Sequence, residues 1–292
     1  MSFTVFTDGS SNLPGGLLQE LEIQVLPCHY VLDGQPGVFL GDIDAFDTHG
    51  YYDKLRGGSV LKTSLLNTHL FLDAFRPELE AGRDVVYVGM SSGISGTIQA
   101  ARIAAEELAE DFPERTVRIV DSLGAGFGTG LLTCRAADLR NEGKTAGEAA
   151  DILDEEAMHL LQYFTVDDLN FLKRTGRVSG ASAAIGTVLN IKPLLWGDAT
   201  GHIVACGKYR GRKKVMEAIV EMYRTRAIHP ENQRVAITHG DCPQEAEQLA
   251  QLVREICPPK ELIVCPHEPF TGAHVGPGML ALFFFGQRRD TL

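Results

Sequence analysis

Three short stretches of the 292-residue chain combine small hydroxyl residues or a histidine with glycines where apolar runs end. They are Lys62-Thr63-Ser64-Leu65, Met90-Ser-Ser-Gly-Ile-Ser95-Gly96-Thr97, and Ala273-His274-Val-Gly276-Pro-Gly278. Hydroxyls and backbone amides donate hydrogen bonds without bringing a full positive charge, so they suit a carboxylate or phosphate head. The second stretch is the most informative. It follows the strand-like run Val85–Val88 and enters a helical pattern, which would put Ser95, Gly96 and Thr97 at a helix N-terminus. Free N–H groups and the helix dipole favour an anion there. Capping alone would explain one hydroxyl, whereas this stretch offers Ser91, Ser92, Ser95 and Thr97. His274 is a candidate donor to the same anion, although on its own it reads first as a structural histidine.

Other motifs fail on spacing. Gly143-Lys-Thr145 ends like a phosphate-binding loop, but the required glycine five positions earlier is Asp138, and Thr145-Ala-Gly-Glu148 is already explained as a capping box. The glycines from Gly124 to Gly130 follow a strand pattern, yet Thr129 stands where a dinucleotide fingerprint needs its third glycine. Close helix–sheet packing explains them better. There is no G-x-S-x-G elbow and no H-E-x-x-H, and the nine histidines form no pair at ligand spacing, so no metal is expected.

The elements that must position these residues alternate strand with helix. Strands are expected over 3–7, 83–88, 116–120, 162–165, 234–238, 261–265 and 279–285. Short strands are expected within 23–40, turning at Asp33-Gly34, and 191–196 with 203–209 reads as a hairpin. Helices are expected after Pro14, from Ser64 through Phe71, and over 95–109, 123–140, 167–173, 215–223 and 245–256, with another opening at Thr145. This alternation predicts an α/β protein with a parallel sheet covered on both faces. The pattern restarts near residue 165, so two domains are expected, 1–165 and 166–292, with a cleft between them.

Residues 1–165 hold 11 basic and 25 acidic side chains, and residues 166–292 hold 16 and 13. The overall charge of −11 argues against broad binding to nucleic acid or anionic membranes. The densest basic stretch, Lys208 to Lys214, is either a solvated surface or a docking patch for an anionic partner surface, with Arg210, Arg212 and Lys213 as its candidates. The longest apolar run, Met279 to Phe285, is far short of the about 20 residues of a membrane span. With no leader pattern and no C-x-x-C pair, a reduced, cytoplasmic protein without stable membrane insertion is expected, its strand cysteines serving as core filler.

Taken in order, the motifs make the chain resemble the DegV family of bacterial fatty-acid-binding proteins. Phe6-Thr-Asp8-Gly-Ser10 is similar to the family's opening element, Lys62-Thr63-Ser64 to its T-S motif, and Ser91-Ser-Gly-Ile-Ser95-Gly-Thr97 to its S-S-x-L-S-G-T signature. Val120-Asp-Ser122, Phe171-Leu-Lys-Arg-Thr-Gly176-Arg177-Val-Ser, Ile191-Lys-Pro193, Arg210-Gly-Arg-Lys-Lys214 and His274-Val-Gly276-Pro-Gly278 continue the match. Two departures stand out: Leu65-Leu66-Asn67 replaces a common Q-P-S, and Thr175 replaces the first glycine of G-G-R.

The resemblance implies a two-domain DegV-like (EDD) α/β fold, with a parallel-sheet N-terminal domain, a mixed-sheet C-terminal domain and the ligand between them. It implies a long-chain fatty acid whose carboxylate is held by Thr63, Ser95 and His274, with the Gly96 and Thr97 amides assisting. Ser64, Arg177 and Gly276 would lie nearby, and Lys173 and Arg174 would face a partner. It further implies a non-enzymatic carrier, the lipid-binding subunit of a fatty acid kinase, with ATP and Mg²⁺ only on a separate kinase subunit. Apolar stripes such as Ile98, Ile103 and Leu108, or Ile185, Val188 and Leu189, could line the tail tunnel. Two competing readings remain: a serine-dependent lipid hydrolase using Ser95 with His274, and a dihydroxyacetone-kinase-like subunit binding a small hydrophilic ligand.

Overall fold

The computed structural model describes residues 3–178 and 190–291, so the expected tunnel residues Ile185, Val188 and Leu189 lie outside the described residues. The first half runs β1 (Phe3–Asp8), α1 (Gly15–Glu20), β2 (Ile23–Leu26), β3 (Cys28–Leu32), β4 (Gln35–Phe39), α2 (Thr48–Arg56), β5 (Leu61–Thr63), α3 (Thr68–Glu80), β6 (Asp84–Gly89), α4 (Thr97–Asp111), β7 (Val117–Asp121), α5 (Phe127–Asn141) and α6 (Ala146–Ala157). The second runs β8 (Leu160–Thr165), α7 (Asn170–Arg174), β9 (Ile191–Gly197), β10 (Ile203–Arg210), α8 (Arg212–Arg226), β11 (Arg234–His239), α9 (Pro243–Ile256), β12 (Glu261–Pro266), α10 (Pro269–Val275) and β13 (Leu280–Phe285).

β2-β1-β6-β7 form a parallel sheet. Successive side chains of a strand point to opposite faces, and β6 uses both. Val85 and Tyr87 pack under α3 and α4 with Phe71, Phe75 and Ile98, while Val86 and Val88 pack under α5 and α6. The second sheet is mixed, in the order β10-β9-β8-β13-β11-β12. Along β13, Leu280, Leu282 and Phe284 meet α8 and α9, whereas Ala281 and Phe283 turn towards the first domain. The expected pairing of a parallel-sheet domain with a mixed-sheet domain is the observed architecture. The second sheet takes its first strand from Leu160–Thr165, on the N-terminal side of the division expected at residue 165.

α5 is sandwiched between the two sheets. Eleven of its 15 residues are buried, so its apolar side chains face all round rather than along one stripe. Its glycines serve packing, as their sequence context suggests: a Cβ on Gly130 would lie 2.5 Å from the Ser11 carbonyl oxygen.

Three local expectations change. The helix expected from Ser64 opens at Thr68, because the Asn67 side chain accepts from the Leu70 N–H at 3.0 Å. Leu65 and Leu66 therefore stay in the preceding loop. A small antiparallel sheet, β4-β3-β5, turns at Asp33-Gly34 as expected but also recruits Leu61–Thr63. Residues 269–275 form a helix that apolar patterning did not indicate. Of the cysteines on strands, Cys28 and Cys265 are buried, but Cys206 is exposed.

Arg289, near the C-terminus, is buried and gathers carbonyl oxygens from three places. It donates to Leu123 at 2.8 Å, to Asp198 at 3.1 Å and to Leu160. Burial pushes its guanidinium down to about 10. Replacing Arg289 with Met would leave those carbonyls without their donor, each worth about 1–3 kcal/mol when buried. Urea unfolding should show a loss on the order of 3 kcal/mol.

Candidate functional site

Where α5, β8, β13 and α10 approach the loops after β5 and β6, a cavity remains. It comprises about 720 Å³ of unfilled space, solvent at its open side included. Its walls are largely apolar: Met90 and Ile94 from the loop after β6, Phe164 and Phe283 from the mixed sheet, and Phe270 and Val275 from α10. Leu65, displaced from its expected helix, lines the cavity while more than half exposed, which places it at the rim. Of the apolar residues expected to form a tunnel, the three described ones, Ile98, Ile103 and Leu108, do not line this cavity. Ile98 and Leu108 are core residues beneath the first sheet, and Ile103 is exposed.

Thr63, Ser95, Arg177 and His274 come from four separate stretches of chain and line this one cavity. Thr63 ends β5 and points inward because its strand neighbour Lys62 points out. Its Oγ1 lies 3.2 Å from His274 Nε2. His274 sits in the last turn of α10, and its Nδ1 is buried with no hydrogen-bond partner among the described residues. Burial, then the positive charges of Arg177 and Arg174, hold its imidazole down at about 4, so it is neutral at pH 7. The pair keeps one donor free whichever ring nitrogen carries the proton. If Thr63 donates to Nε2, Nδ1–H is free; if Nε2–H donates to Thr63, the hydroxyl proton is free.

Ser95 Oγ lies 3.0 Å from Thr97 Oγ1 and accepts weakly from the Thr97 N–H at 3.3 Å. Its partner is therefore Thr97, not His274, and no nucleophile–base pair of the kind the hydrolase reading needs is formed between Ser95 and His274. Ser91 is turned away to the Gly201 carbonyl at 2.9 Å, pinning the loop to the β9–β10 hairpin, and Ser92 is exposed. Of the four hydroxyls that drew attention to this loop, only that of Ser95 reaches the cavity.

Thr175, at the second departure, donates to the carbonyls of Phe171 at 3.1 Å and Leu172 at 3.3 Å, and its own carbonyl accepts from Arg177. It closes the turn, and Arg177 still reaches the cavity wall.

The remaining expected residues stand outside the cavity. Ser64 and Gly96 are exposed, and Thr97 is buried behind Ser95. Gly276 ends α10 at φ 76°, where a Cβ would strike the Phe171 ring at 2.5 Å. Arg174 stacks on Phe171, and Lys173 shares the same short helix. Arg210 and Lys213 are exposed, but Arg212 is built into the fold. Only 14% exposed, Arg212 pairs with Glu245 at 2.8 Å and donates to the Gly278 carbonyl at 2.7 Å. The basic stretch is thus part surface and part scaffold.

Several cavity residues escaped sequence reasoning. Gln162 is a lone amide in the apolar run Leu160–Phe164, and that oddity was its one signal; its Oε1 accepts from the Ala125 N–H at 3.1 Å. His267 and Thr271 also line the wall. His267 Nδ1 lies 2.8 Å from Thr238 Oγ1, and its Nε2 lies 2.8 Å from Thr271 Oγ1. Burial holds this imidazole neutral, down at about 3. Thr271 in turn bonds to the buried carboxyl group of Glu268.

A family model described as "Uncharacterised protein, DegV family" matches residues 2–287. A DegV domain-containing protein of Clostridium perfringens is 36% identical, with 99% of each chain covered. Among solved structures, a fatty-acid-binding DegV family protein of Thermus thermophilus is 30% identical and superposes with a TM-score of 0.87, covering 98% of this chain and 100% of the other. DegV of Bacillus subtilis, described as a fatty acid binding protein, is 26% identical with a TM-score of 0.82, over 98% and 100% of the two chains. The chain belongs to the DegV family.

Proposed function

We propose that this protein binds a long-chain fatty acid in the cavity between its two sheets, with the carboxylate at Thr63, Ser95 and His274 and the tail against the apolar walls. One observation carries the reading. The buried Nδ1 of His274 lacks a partner among the described residues, at the edge of a largely apolar cavity that Thr63, Ser95 and Arg177 also line. An unpaired buried polar atom is costly, and a carboxylate oxygen would satisfy it. The fatty-acid-binding relatives from Thermus thermophilus and Bacillus subtilis support the same reading.

The energetics suit an acyl chain. Burying each methylene stabilises the complex by about 0.8 kcal/mol, so a chain of roughly 16 carbons offers on the order of 10 kcal/mol before ordering costs. A small hydrophilic ligand would gain nothing from Phe164, Phe270 or Phe283. The carboxylate gains the free donor of the Thr63–His274 pair, the Ser95 hydroxyl and the charge of Arg177.

The protein then acts as a carrier that needs no cofactor of its own. A separate kinase subunit, holding ATP and Mg²⁺, phosphorylates the carboxylate presented at the rim, where Leu65 is exposed. Arg177 is placed to balance the added charge, since phosphoryl transfer depends mainly on positioning and charge neutralisation. Arg210 and Lys213, exposed on the less acidic half, are the residues offered to the kinase.

Protein purified from its host should carry a stoichiometric fatty acid released on denaturation, as read by native and denaturing mass spectrometry; a clean mass with no oleate uptake would overturn the reading. Replacing both Thr63 and Ser95 with Ala should weaken oleate binding about tenfold or more, since hydrogen bonds to charged groups contribute about 1.5–3 kcal/mol each. Unchanged affinity would exclude this head-group site.

By NMR, His274 in ligand-free protein should titrate near 4 and move upward when oleate binds, because a nearby anion favours imidazolium. Titration at an ordinary histidine value without ligand would contradict the site. Reversing the charges of Arg210 and Lys213 should leave oleate binding unchanged and slow phosphorylation by the kinase subunit; undiminished phosphorylation would move the docking surface elsewhere.

A further inference from the structure

Behind the cavity wall lies a buried acidic group. Glu268 lies at the N-terminus of α10, fully buried, and its carboxyl group accepts from the Thr271 N–H at 2.8 Å, from the Phe270 N–H and from the Thr271 hydroxyl. α10 has only seven residues, too few to be stable on intrinsic propensity. Yet it delivers Phe270, Thr271, His274 and Val275 to the cavity.

The surroundings fix the cap tightly. Asn12 Oδ1 accepts from the Glu268 N–H at 2.5 Å, and the Tyr51 and Tyr52 hydroxyls hold the carbonyls of Pro269 at 2.7 Å and His267 at 3.1 Å. The titratable groups facing Glu268 are Asp8 at the end of β1, Cys28 on β3, Tyr51 and Tyr52 on α2, and the neighbouring His267. Lys62 on β5 points outward, and Arg174 and Arg177 act on His274 at the other end of α10. No cation stands beside Glu268 among these groups.

We propose that Glu268 is a positioning residue for fatty-acid binding: its buried carboxyl group holds the cavity-lining helix and takes up a proton when the anionic head group binds at the helix's other end. The inference rests on the fatty-acid reading above. Its geometry is a continuous hydrogen-bonded chain, Thr238–His267–Thr271–Glu268, two of whose members form cavity wall. With Glu268 ionised, Thr271 must donate to it, so Thr271 accepts from His267 Nε2–H and Thr238 donates to Nδ1. With Glu268 protonated, the chain can reverse and His267 changes tautomer. In both states His267, Thr271 and Glu268 each keep a partner, so the proton enters without leaving any of these three unpaired.

Electrostatics give the sign. Burial pushes Glu268 up to about 7, with Asp8 adding to the rise, so it is near half-ionised at neutral pH. Six positions of helical rise separate it from His274, about 9 Å. Two anions at that distance in an interior of intermediate dielectric alter each other's equilibrium on the order of tenfold. A bound carboxylate therefore raises Glu268 further, protons enter on binding, and affinity falls as pH rises through neutrality.

The test is calorimetry of oleate binding at pH 7 in buffers of different ionisation enthalpy, with Glu268→Gln beside the wild type. The glutamine keeps one of the two cap acceptors, the one at Thr271, and cannot titrate. The wild type should take up a fraction of a proton, on the order of 0.4 per oleate, and lose up to about tenfold in affinity between pH 6.5 and 8.5. Glu268→Gln should bind oleate with no uptake and no such loss. Equal uptake in the two proteins, or none in the wild type, would overturn the assignment while leaving the fatty-acid reading standing. A wild type that binds no oleate at any pH would remove both.

If Glu268→Gln does not fold, infrared difference spectra of the wild type decide. Adding oleate labelled with carbon-13 at its carboxyl should increase the band of a protonated protein carboxyl group at pH 7.5. No increase would reject the proposal.

Discussion

A helix buried on every side is the constraint on which the rest of this structure depends. α5 fills the seam between a parallel and a mixed sheet, and neither sheet's inner face would be dry without it. Its residues are small at the contacts that matter, so backbone approaches backbone at Gly130 and Gln162 lies against Gly128. Beyond its N-terminal end the two sheets are no longer held at helix distance by α5. The cavity lies there, walled by Phe164 and Phe283 on one side and the loops after β5 and β6 on the other. The cavity is a place where the packing that builds the core stops short.

Polar groups around that space are arranged by a different rule. Most are held by hydrogen-bond partners within the protein. Ser91 ties its loop to the β9–β10 hairpin, Thr97 holds Ser95, and Gln162 caps the Ala125 amide. His267 is held between two threonines. His274 is the departure from the rule, with Nε2 at Thr63 and Nδ1 unpaired among the described residues. Fully satisfied polar groups beside an apolar cavity cost little. The single unsatisfied one is the feature on which the proposed head-group site rests.

The basic stretch divides between scaffold and surface. Arg212 shows why a basic stretch cannot be read as a surface from composition alone: its guanidinium closes a contact between α8, α9 and the glycine turn before β13. Its neighbours Arg210 and Lys213 remain in solvent. Inside the fold, the carboxyl groups of Asp8 and Glu268 are buried near one another. Asp8 is held by the Ser10 amide and by the Ser10 and Tyr87 hydroxyls, and Glu268 by the first amides of α10. The anionic ligand proposed for the cavity would join an interior that already contains acid.

Much of the fold was legible in the sequence because strands buried on both faces write themselves as apolar runs. The runs at residues 3–8, 84–89 and 280–285 are of that kind, and the capping box at Thr145 announced its helix. The hydroxyl and glycine motifs also pointed to Thr63, Ser95 and His274, since those residue types suit an anion, and the family resemblance added Arg177. Short, capped elements were not legible. α10 has few residues and depends on Glu268, Asn12 and two tyrosines distant in sequence, and the helix after Asn67 begins where a side chain, not periodicity, sets its start.

The sequence determined which residues have the chemistry to meet an anion and that the fold is built of two α/β layers, because those properties are local and periodic. Only the tertiary structure decided which hydroxyl faces the cavity, which arginine is scaffold, and that a buried glutamate lies behind the wall. Each of those depends on neighbours many positions away, and on which of them burial leaves without water.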